Sequence, residues 1–356
     1  MKVLIMHAGQ PAQDYYRITE PARAIFDLGL DVEIRSSRGL ATTVVKRDDG
    51  IDQVVDIDPM GADVVVLQLP KTEQMLQCIR LLQSMGVAVV VEMDDLLSAV
   101  PFGHQAHEVL TRRGLARKAL ECAREADFVT TTTPGLLAEY APHGGGAVIP
   151  NAIPRRIAEL PPAYEREPET VTVGWSGNVL GHPYDLQVMG SGLQQALDRT
   201  AGRSRFLVLG QKFDAKGRLG LTEEPDEVTW IPNLDAYVQA VGELFDIGIA
   251  PLRIDKFNTC KSWLKALEYA ARGVPFVRAP SADYDRLGMG RRAKSPKDWA
   301  RALTSLIEDR DAARDMAVRN REVVLERHLT EHTAPLWVAA WERALDNRER
   351  AQRRGA

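Results

Sequence analysis

Short apolar runs alternate with amphipathic segments along the first half of the chain. The runs are continuous, which is typical of parallel strands that are buried on both faces. They lie at residues 3–6, 32–35, 63–69, 87–92 and 128–131. The segments between them predict helices over residues 21–28, 73–85 and 107–124. This order of elements predicts an α/β domain with a doubly wound parallel sheet, over residues 1–152.

A proline-rich stretch then interrupts the pattern. Pro154, Pro161, Pro162 and Pro168 exclude a regular helix or strand interior, so residues 153–169 are predicted to be a linker. The alternation restarts with predicted strands at 171–175, 206–209, 227–231, 247–251 and 275–278. Predicted helices lie at 186–198, 234–244 and 260–271. A second Rossmann-like domain of the same type is therefore predicted over residues 170–332.

Helical periodicity dominates from residue 295 to the end of the chain. Trp337 and Trp341 are four residues apart and would share one helical face. We expect the helix at 333–356 to pack back on the N-terminal domain. The two sheets are expected to face a cleft at the carboxyl ends of their strands, where open α/β sheets bind ligands.

Composition narrows the functional class. The 356 residues are 45% hydrophobic and 26% charged, which excludes a disordered or fibrous chain. The net charge of −4 does not favour nucleic acid or anionic membranes. The three cysteines are far apart, as in a reducing compartment, and no apolar segment approaches the ~20 residues of a membrane span. We therefore expect a cytoplasmic protein without stable membrane insertion.

The segment after the strand at 247–251 carries most of the candidate chemistry. Arg253 and Asn258 lie in the predicted loop, and Lys261 and Ser262 are expected in the first turn of the next helix. The helix dipole disfavours a lysine at that end, whereas a bound phosphate would be favoured there. This arrangement indicates a phosphate-binding loop.

Lys265 and Glu268 follow Lys261 at spacings of four and seven, so all three are predicted to share a helical face. Two interpretations fit this spacing equally well. The face is either part of a binding site or a solvated charged surface with an i,i+3 pair between Lys265 and Glu268.

The sequence Lys-Ser-x-x-Lys-x-Leu-Glu-Tyr-Ala-Ala-x-Gly-Val-Pro, which begins at Lys261, resembles the donor-site motif of GT-B glycosyltransferases. The likeness is strongest to the retaining family 4 type. The resemblance implies that Glu268 binds the ribose of a nucleotide sugar and that Lys261 binds its phosphate. Cys260 stands where the family often has a further glutamate, so the sugar contact of that glutamate stays unassigned.

Two further segments resemble the same family. Residues 174–186 resemble the opening of its donor domain, in which Gly177 permits close backbone approach and Asp185 is expected to be a helix N-cap. Residues 230–233, which end at Asn233, resemble the segment that lines the nucleobase pocket.

In the first half, Tyr16-Arg17 and the acidic pair Asp94-Asp95 resemble a branch whose acidic pair faces the cleft. With His104 nearby, they supply the acceptor-side candidates Arg17, Asp94, Asp95 and His104. A rival interpretation reads Glu92-x-Asp94 as the acidic metal motif of single-domain GT-A glycosyltransferases, which hold a divalent cation against the diphosphate. Glycine-rich loops of the ATP-binding or dinucleotide-binding type are absent from the sequence.

The resemblance implies transfer of a sugar from a nucleotide-diphosphate donor, such as a UDP-sugar, with retention and without a cofactor or metal. Lys261 and Arg253 would be catalytic, because they can stabilise the charge on the departing diphosphate. The predicted donor-binding residues are Gly177, Asn233, Asn258, Ser262, Lys265 and Glu268.

Alternatives stay open at this point. An inverting enzyme would need a general base, with Asp94, Asp95 and His104 as candidates. A sugar-nucleotide 2-epimerase and a non-catalytic nucleotide-sugar-binding protein would share the fold. The acceptor is unidentified: a polysaccharide, a lipid-linked sugar, a small metabolite and a modified nucleic-acid base all fit.

Overall fold

The computed structural model describes residues 1–47 and 52–355, which form two compact units. The first unit comprises Met1–Val100, Ala106–Asn151 and Thr330–Ala356. The second comprises Pro101–Gln105 and Ala152–Leu329. Each unit is built around one parallel sheet, so the predicted α/β fold class is confirmed.

The strands of the first unit are β1 (Lys2–Met6), β2 (Glu33–Ser37), β3 (Ala41–Lys46), β4 (Asp52–Asp58), β5 (Val64–Gln68), β6 (Ala88–Met93), β7 (Phe128–Thr131) and β8 (Gly146–Val148). The sheet has the order β2-β1-β5-β6-β7-β8, and all its neighbouring strands are parallel. Strands β3 and β4 form a separate antiparallel pair that the sequence analysis missed.

The strands of the second unit are β9 (Val171–Asn178), β10 (Ser204–Gln211), β11 (Asp226–Val228), β12 (Ile247–Ala250), β13 (Phe276–Arg278) and β14 (Arg291–Arg292). Their order is β11-β10-β9-β12-β13-β14, again with parallel neighbours. The long strand β9 is central, and its first six residues are buried. Strand β14 was not predicted, because its two residues are both arginines.

Helices cover the sheets of both units. They are α1 (Pro11–Asp14), α2 (Glu20–Asp27), α3 (Glu73–Ser84), α4 (His107–Arg112), α5 (Leu115–Glu125), α6 (Pro134–Tyr140), α7 (Arg155–Ala158), α8 (Gly192–Arg199), α9 (Ala215–Leu219), α10 (Leu234–Leu244), α11 (Lys256–Thr259), α12 (Leu264–Ala271), α13 (Ala282–Leu287), α14 (Pro296–Glu308), α15 (Arg310–Arg327) and α16 (Thr330–Gly355). A π-helical turn, Tyr15–Thr19, connects α1 to α2. Within the described residues, no helix combines the length and apolar composition that a bilayer span requires.

Glycines divide two of the predicted helices. The helix predicted at 107–124 is broken at Gly114, whose φ is +67°. The helix predicted at 186–198 becomes a 3-10 turn, Leu186–Met189, followed by α8, because Gly190 adopts a φ of +49° between them. A residue with a side chain would be strained at either position.

The C-terminal helix α16 is part of the first unit and begins at Thr330, three residues before the predicted start. Trp337 and Trp341 on this helix are buried in the core of the unit, together with Val66 of β5 and Val90 of β6. The two indole rings lie 6.4 Å apart, centroid to centroid. The sequence analysis expected this helix to pack on the N-terminal domain, and the tryptophan spacing supplies the apolar face that does so.

The segment 153–169, predicted to be a linker, instead packs within the second unit. Its carbonyl groups are bound by the buried side chain of Arg272, whose Nη1 donates to Ile157 O at 3.1 Å and to Leu160 O at 3.2 Å. Nη2 donates to Pro161 O at 2.9 Å. Arg321 donates to Ala158 O at 2.7 Å. The short helix α7 lies in this segment, and the two arginines bind carbonyl groups at its C-terminal end and in the residues that follow.

Replacing Arg272 by Leu should destabilise the second unit by about 2–4 kcal/mol, because three carbonyl oxygens would lose a charged donor. Burial lowers the pKa of Arg272 to about 10, so the side chain is charged at pH 7. Urea unfolding followed by tryptophan fluorescence measures the loss. Arg327→Leu, at an exposed position at the end of α15, is the matched control. Equal midpoints for the two variants would contradict the anchoring role.

Candidate functional site

The carboxyl edge of the second sheet is built around a close approach of β9 and β10. Gly177 and Gly210 are paired in register, with φ values of +145° and +134°. A Cβ atom on Gly210 would lie 2.2 Å from the carbonyl oxygen of Gly177. Both positions therefore require glycine. This agrees with the close backbone approach expected at Gly177, whose contact with a donor stays a prediction.

Lys265 extends from α12 to the end of β9. Its Nζ donates to the carbonyl oxygen of Ser176, lies 3.4 Å from Ser176 Oγ, and is 5.1 Å from the centroid of the Trp175 ring. Burial lowers the pKa of Lys265 to about 8, although the negative charge of Glu268 acts in the opposite direction. Glu268 itself is buried on the same helix. The predicted face of Lys265 and Glu268 is therefore directed into the unit, and the solvated-surface interpretation is wrong for these two residues.

Asp185 connects three segments at this edge. Its Oδ1 accepts from the backbone N–H of Arg253 at 3.0 Å and from Nδ2 of Asn258 at 2.7 Å. Its Oδ2 lies 2.7 Å from Nδ1 of His182. Asp185 occupies the N-cap position of the 3-10 turn Leu186–Met189, as expected, but its side chain makes no capping hydrogen bond. Its partners are 68 and 73 residues away in the chain, and no local pattern could have indicated them.

The ionisation of this network follows from its burial. Burial opposes ionisation of Asp185, but the donors from His182 and Arg253 outweigh it and hold its pKa below the usual value. Burial lowers the pKa of His182, and the positive charges of Lys265 and Lys261 act in the same direction. At pH 7, therefore, a neutral His182 donates to an ionised Asp185.

The predicted catalytic cations both lie against aromatic rings. The guanidinium carbon of Arg253 is 4.8 Å from the centroid of the Tyr184 ring. Lys261 Nζ is 4.5 Å from the centroid of Phe257. Contrary to expectation, Lys261 and Ser262 do not lie in the first turn of the helix: α11 ends at Thr259, and α12 begins at Leu264. Both residues lie in the connection between the two helices.

Asn258 and Asn233 have structural partners. Asn258 is buried and donates to Asp185, while its Oδ1 finds no hydrogen-bond partner among the described residues. Asn233 is exposed and caps α10 by accepting from the backbone N–H of Ala236 at 2.9 Å. Next to it, the Trp230 ring lies 5.3 Å from that of Tyr237, centroid to centroid. A donor-binding role for either asparagine stays a prediction.

Arg17, predicted on the acceptor side, is instead buried in the core of the first unit. Its Nε donates to Glu92 Oε1 at 2.7 Å, and its Nη1 donates to Ile149 O at 2.7 Å and to Asn151 Oδ1 at 3.1 Å. Thr130 donates to the other carboxylate oxygen of Glu92. The Glu92 carboxylate is directed inward and already bound. It is therefore not available as a metal ligand, as the rival Glu92-x-Asp94 interpretation requires.

The remaining acceptor-side candidates divide between the two units. Asp94 and Asp95 follow β6 in the first unit and are partly buried, and Asp94 accepts from Gln13 at 3.2 Å. His104 lies in the segment Pro101–Gln105 of the second unit, with its ring 6.0 Å from that of Phe257. His104 and Lys261 therefore both lie against the Phe257 ring. The sequence analysis did not predict that they would be close together.

The carboxyl edge of the first sheet carries further polar residues that the sequence analysis missed. Gln68 ends β5, is almost fully buried, and accepts from the backbone N–H of Ala8 at 2.7 Å. His7 follows β1 and pairs with Asp14 at 3.1 Å. Lys71 lies near Asp94, and burial lowers its pKa against the attraction of that carboxylate. The signal that could have found them is their position at the ends of apolar strands.

Backbone strain occurs at the same edge. Leu69, directly after β5, has a φ of +50°, a left-handed conformation that leucine rarely adopts. Such strain persists only where surrounding contacts hold it, and it is found most often at functional sites. Across the part of the chain that the structure describes, no three His, Cys, Asp or Glu side chains converge into a set that could hold a metal ion.

Comparison with known proteins identifies the fold. No family model and no curated protein matches this chain. Among solved structures, HepE from Anabaena in complex with UDP and glucose is similar over 95% of this chain and 98% of its own, with a TM-score of 0.63 and 14% identity.

Two trehalose-phosphate structures are also similar. The UDP-forming α,α-trehalose-phosphate synthase from Burkholderia xenovorans, in complex with glucose-6-phosphate, has a TM-score of 0.60 and 13% identity over 96% of this chain and 100% of its own. The E. coli trehalose-6-phosphate structure bound with UDP-2-fluoro glucose has a TM-score of 0.59 and 11% identity, with 98% of each chain covered. The chain therefore has the GT-B fold.

Replacing Asp185 by Ala should cost about 2–4 kcal/mol of stability, because Asn258 and the Arg253 loop would lose a buried charged acceptor. Urea unfolding measures the loss. Asp198→Ala, at an exposed position on α8, is the control. A variant of unchanged stability would show that the network does not hold these segments together.

Proposed function

We propose that this chain is a glycosyltransferase that moves a sugar from a nucleotide diphosphate, best supported as UDP, to an acceptor. The observation that carries this proposal is the contact of Lys265 with the end of β9, with the charges of Glu268 and Lys261 close enough to act on it, in a chain with the GT-B fold. The similar structures include proteins in complex with UDP or a UDP-sugar, which supports the choice of nucleotide.

In the proposed donor complex, the Glu268 carboxylate accepts hydrogen bonds from the ribose hydroxyls. Lys261, Arg253 and Ser262 bind the diphosphate, and Asn233 and Asn258 contribute to the donor pocket near Trp230. Asp185 is a positioning residue, since it holds the backbone of Arg253 and the side chain of Asn258.

The catalytic contribution we propose is electrostatic. As the bond between the sugar and the diphosphate breaks, negative charge grows on the leaving group, and Lys261 and Arg253 stabilise it without a metal ion. Retention of the anomeric configuration is proposed from the motif resemblance. The similar structures from Burkholderia xenovorans and E. coli are both named for trehalose phosphate, which supports a carbohydrate acceptor.

We propose that the acceptor binds at the carboxyl edge of the first sheet. Asp94 and Asp95 can accept hydrogen bonds from acceptor hydroxyls, while Lys71 and Gln13 supply donors nearby. A set of neighbouring donors and acceptors suits a polyhydroxylated molecule, because each hydroxyl both donates and accepts.

The test is release of UDP from a panel of UDP-sugars, with and without acceptor pools and with and without EDTA. We expect acceptor-dependent release that EDTA does not change. Complete loss in EDTA, restored by Mn²⁺ or Mg²⁺, would contradict the metal-independent mechanism. Isomerisation of the donor without an acceptor would identify an epimerase, and UDP binding without turnover would identify a non-catalytic protein.

Lys261→Ala should lower kcat/KM by about 10²- to 10³-fold, because a preorganised charge contact with the leaving group is lost. Its thermal midpoint should hardly change, since Lys261 lies in a connection between helices. Lys261→Arg should recover only part of the rate, as a guanidinium fork does not reproduce a compact ammonium. Lys297→Ala, at an exposed position on α14, is the control. Near-normal turnover of Lys261→Ala would contradict its role at the leaving group and leave Arg253 as the candidate.

The rate should also depend on the protonation of Lys265. Its pKa of about 8 lies below the ordinary lysine value, so the positive form is present below pH 8 and is lost as the pH rises through it. If that charge supports donor binding, kcat/KM should decline above about pH 8, because this parameter reports the free enzyme. Lys265→Arg, which stays charged, should remove the decline. The same decline in the variant would show that another group titrates.

A further inference from the structure

A cavity of about 330 Å³ opens at the amino edge of the second sheet, away from the carboxyl edge that carries Lys265 and Glu268. Its walls come from the segment before β9, from Asp246 and Pro275 directly before β12 and β13, and from the first turn of α15. None of these residues takes part in the proposed transfer reaction. The cavity is therefore a separate feature of the second unit.

Arg166 is fixed in the wall of this cavity. Its Nη2 donates to Phe245 O at 2.7 Å and pairs with Asp246 Oδ1 at 2.9 Å. Asp246 is almost fully buried and also accepts from the backbone N–H of Thr172 at 2.8 Å. The Nε–H of Arg166 is buried, and it has no hydrogen-bond partner among the described residues.

Arg310 supplies a second donor of the same kind. It is the first residue of α15, and its Nη1 is likewise buried with no partner in the described part of the chain. A positive side chain at a helix N-terminus is opposed by the helix dipole, whereas an anion there is favoured. Both guanidinium groups line this cavity, and each has an N–H group without a partner among the described residues. A carboxylate suits them, because it can accept from both.

The outer part of the cavity has the opposite charge. The exposed charged residues of the lining, which form its rim, are Glu167, Glu169, Asp311 and Arg314, so three carboxylates meet one guanidinium there. Negative charge at the rim disfavours a multiply charged anion and favours a cationic group. Tyr164 adds an aromatic surface for an organic body.

We infer that this cavity binds a small zwitterion of the α-amino-acid type. Its carboxylate accepts from Arg166 and Arg310, and its ammonium group faces Glu167 and Glu169. This inference goes beyond the proposed glycosyl transfer and does not depend on it, because the cavity shares no residue with the donor site.

Calorimetric titration of the full chain tests the inference with glycine, L-alanine and L-phenylalanine as probes. Two matched probes each lack one charge of phenylalanine: 3-phenylpropionate has no ammonium group, and phenethylamine has no carboxylate. We expect at least one amino acid to bind, and each matched probe to bind about tenfold or more weakly than phenylalanine. The Nε–H signal of Arg166 should shift on binding in a ¹⁵N-labelled sample.

Arg310→Gln should weaken binding of the amino acid about tenfold or more, and Arg310→Lys should weaken it less because the charge remains. Arg327→Gln, on the same helix and exposed, should leave binding unchanged. UDP affinity should be the same in all three variants, which separates this site from the donor site. Absence of binding by all three amino acids, equal binding of 3-phenylpropionate, or unchanged binding in Arg310→Gln would each overturn the inference.

Discussion

Burial of continuous apolar strands on both faces is the constraint on which the rest of this structure depends. Every residue of β5 and β6 is buried, as are the first six residues of β9. A polar side chain within such strands loses its water, at a cost of several kcal/mol unless it gains partners as Glu92 of β6 does. Polar chemistry is therefore confined to the strand ends. Gln68, Asp94 and Lys265, which contacts the end of β9, all lie at carboxyl edges for this reason.

Two buried charges of this structure, Arg17 and Asp185, are each met by several partners. Arg17 is neutralised by Glu92 and also donates to Ile149 and Asn151, so the desolvation of its guanidinium is largely offset. Asp185 is a buried negative charge that is stabilised in the same way, because three donors surround it. Each of these groups joins segments that are distant in the chain. Burying the charge costs free energy, but its hydrogen bonds hold in place loops that no helix or strand holds.

Continuous apolar runs predicted five of the six strands in each sheet, and missed the short edge strands β8 and β14. The pair β3 and β4 was missed since every residue of β3 is exposed, so its sequence lacks that signal. The Lys-Ser motif identified the segment around Lys261, but the positions of its side chains depend on contacts that are remote in sequence. Asp255 caps the short helix α11, which ends before Lys261, and two of the partners of Asp185 lie some 70 residues away.

The contacts that position the cations of the core differ from those that position the cations of the candidate site. Arg17 is held by a carboxylate, which cancels its charge as well as fixing its position. Arg253 lies on the Tyr184 ring and is 3.9 Å from Asp255, beyond hydrogen-bond reach, and Lys261 lies on the Phe257 ring. Lys265 donates to a backbone carbonyl oxygen. Contact with a ring face or a carbonyl oxygen orients a cation without cancelling its charge, and such contacts fix the positions of these three side chains at the candidate site.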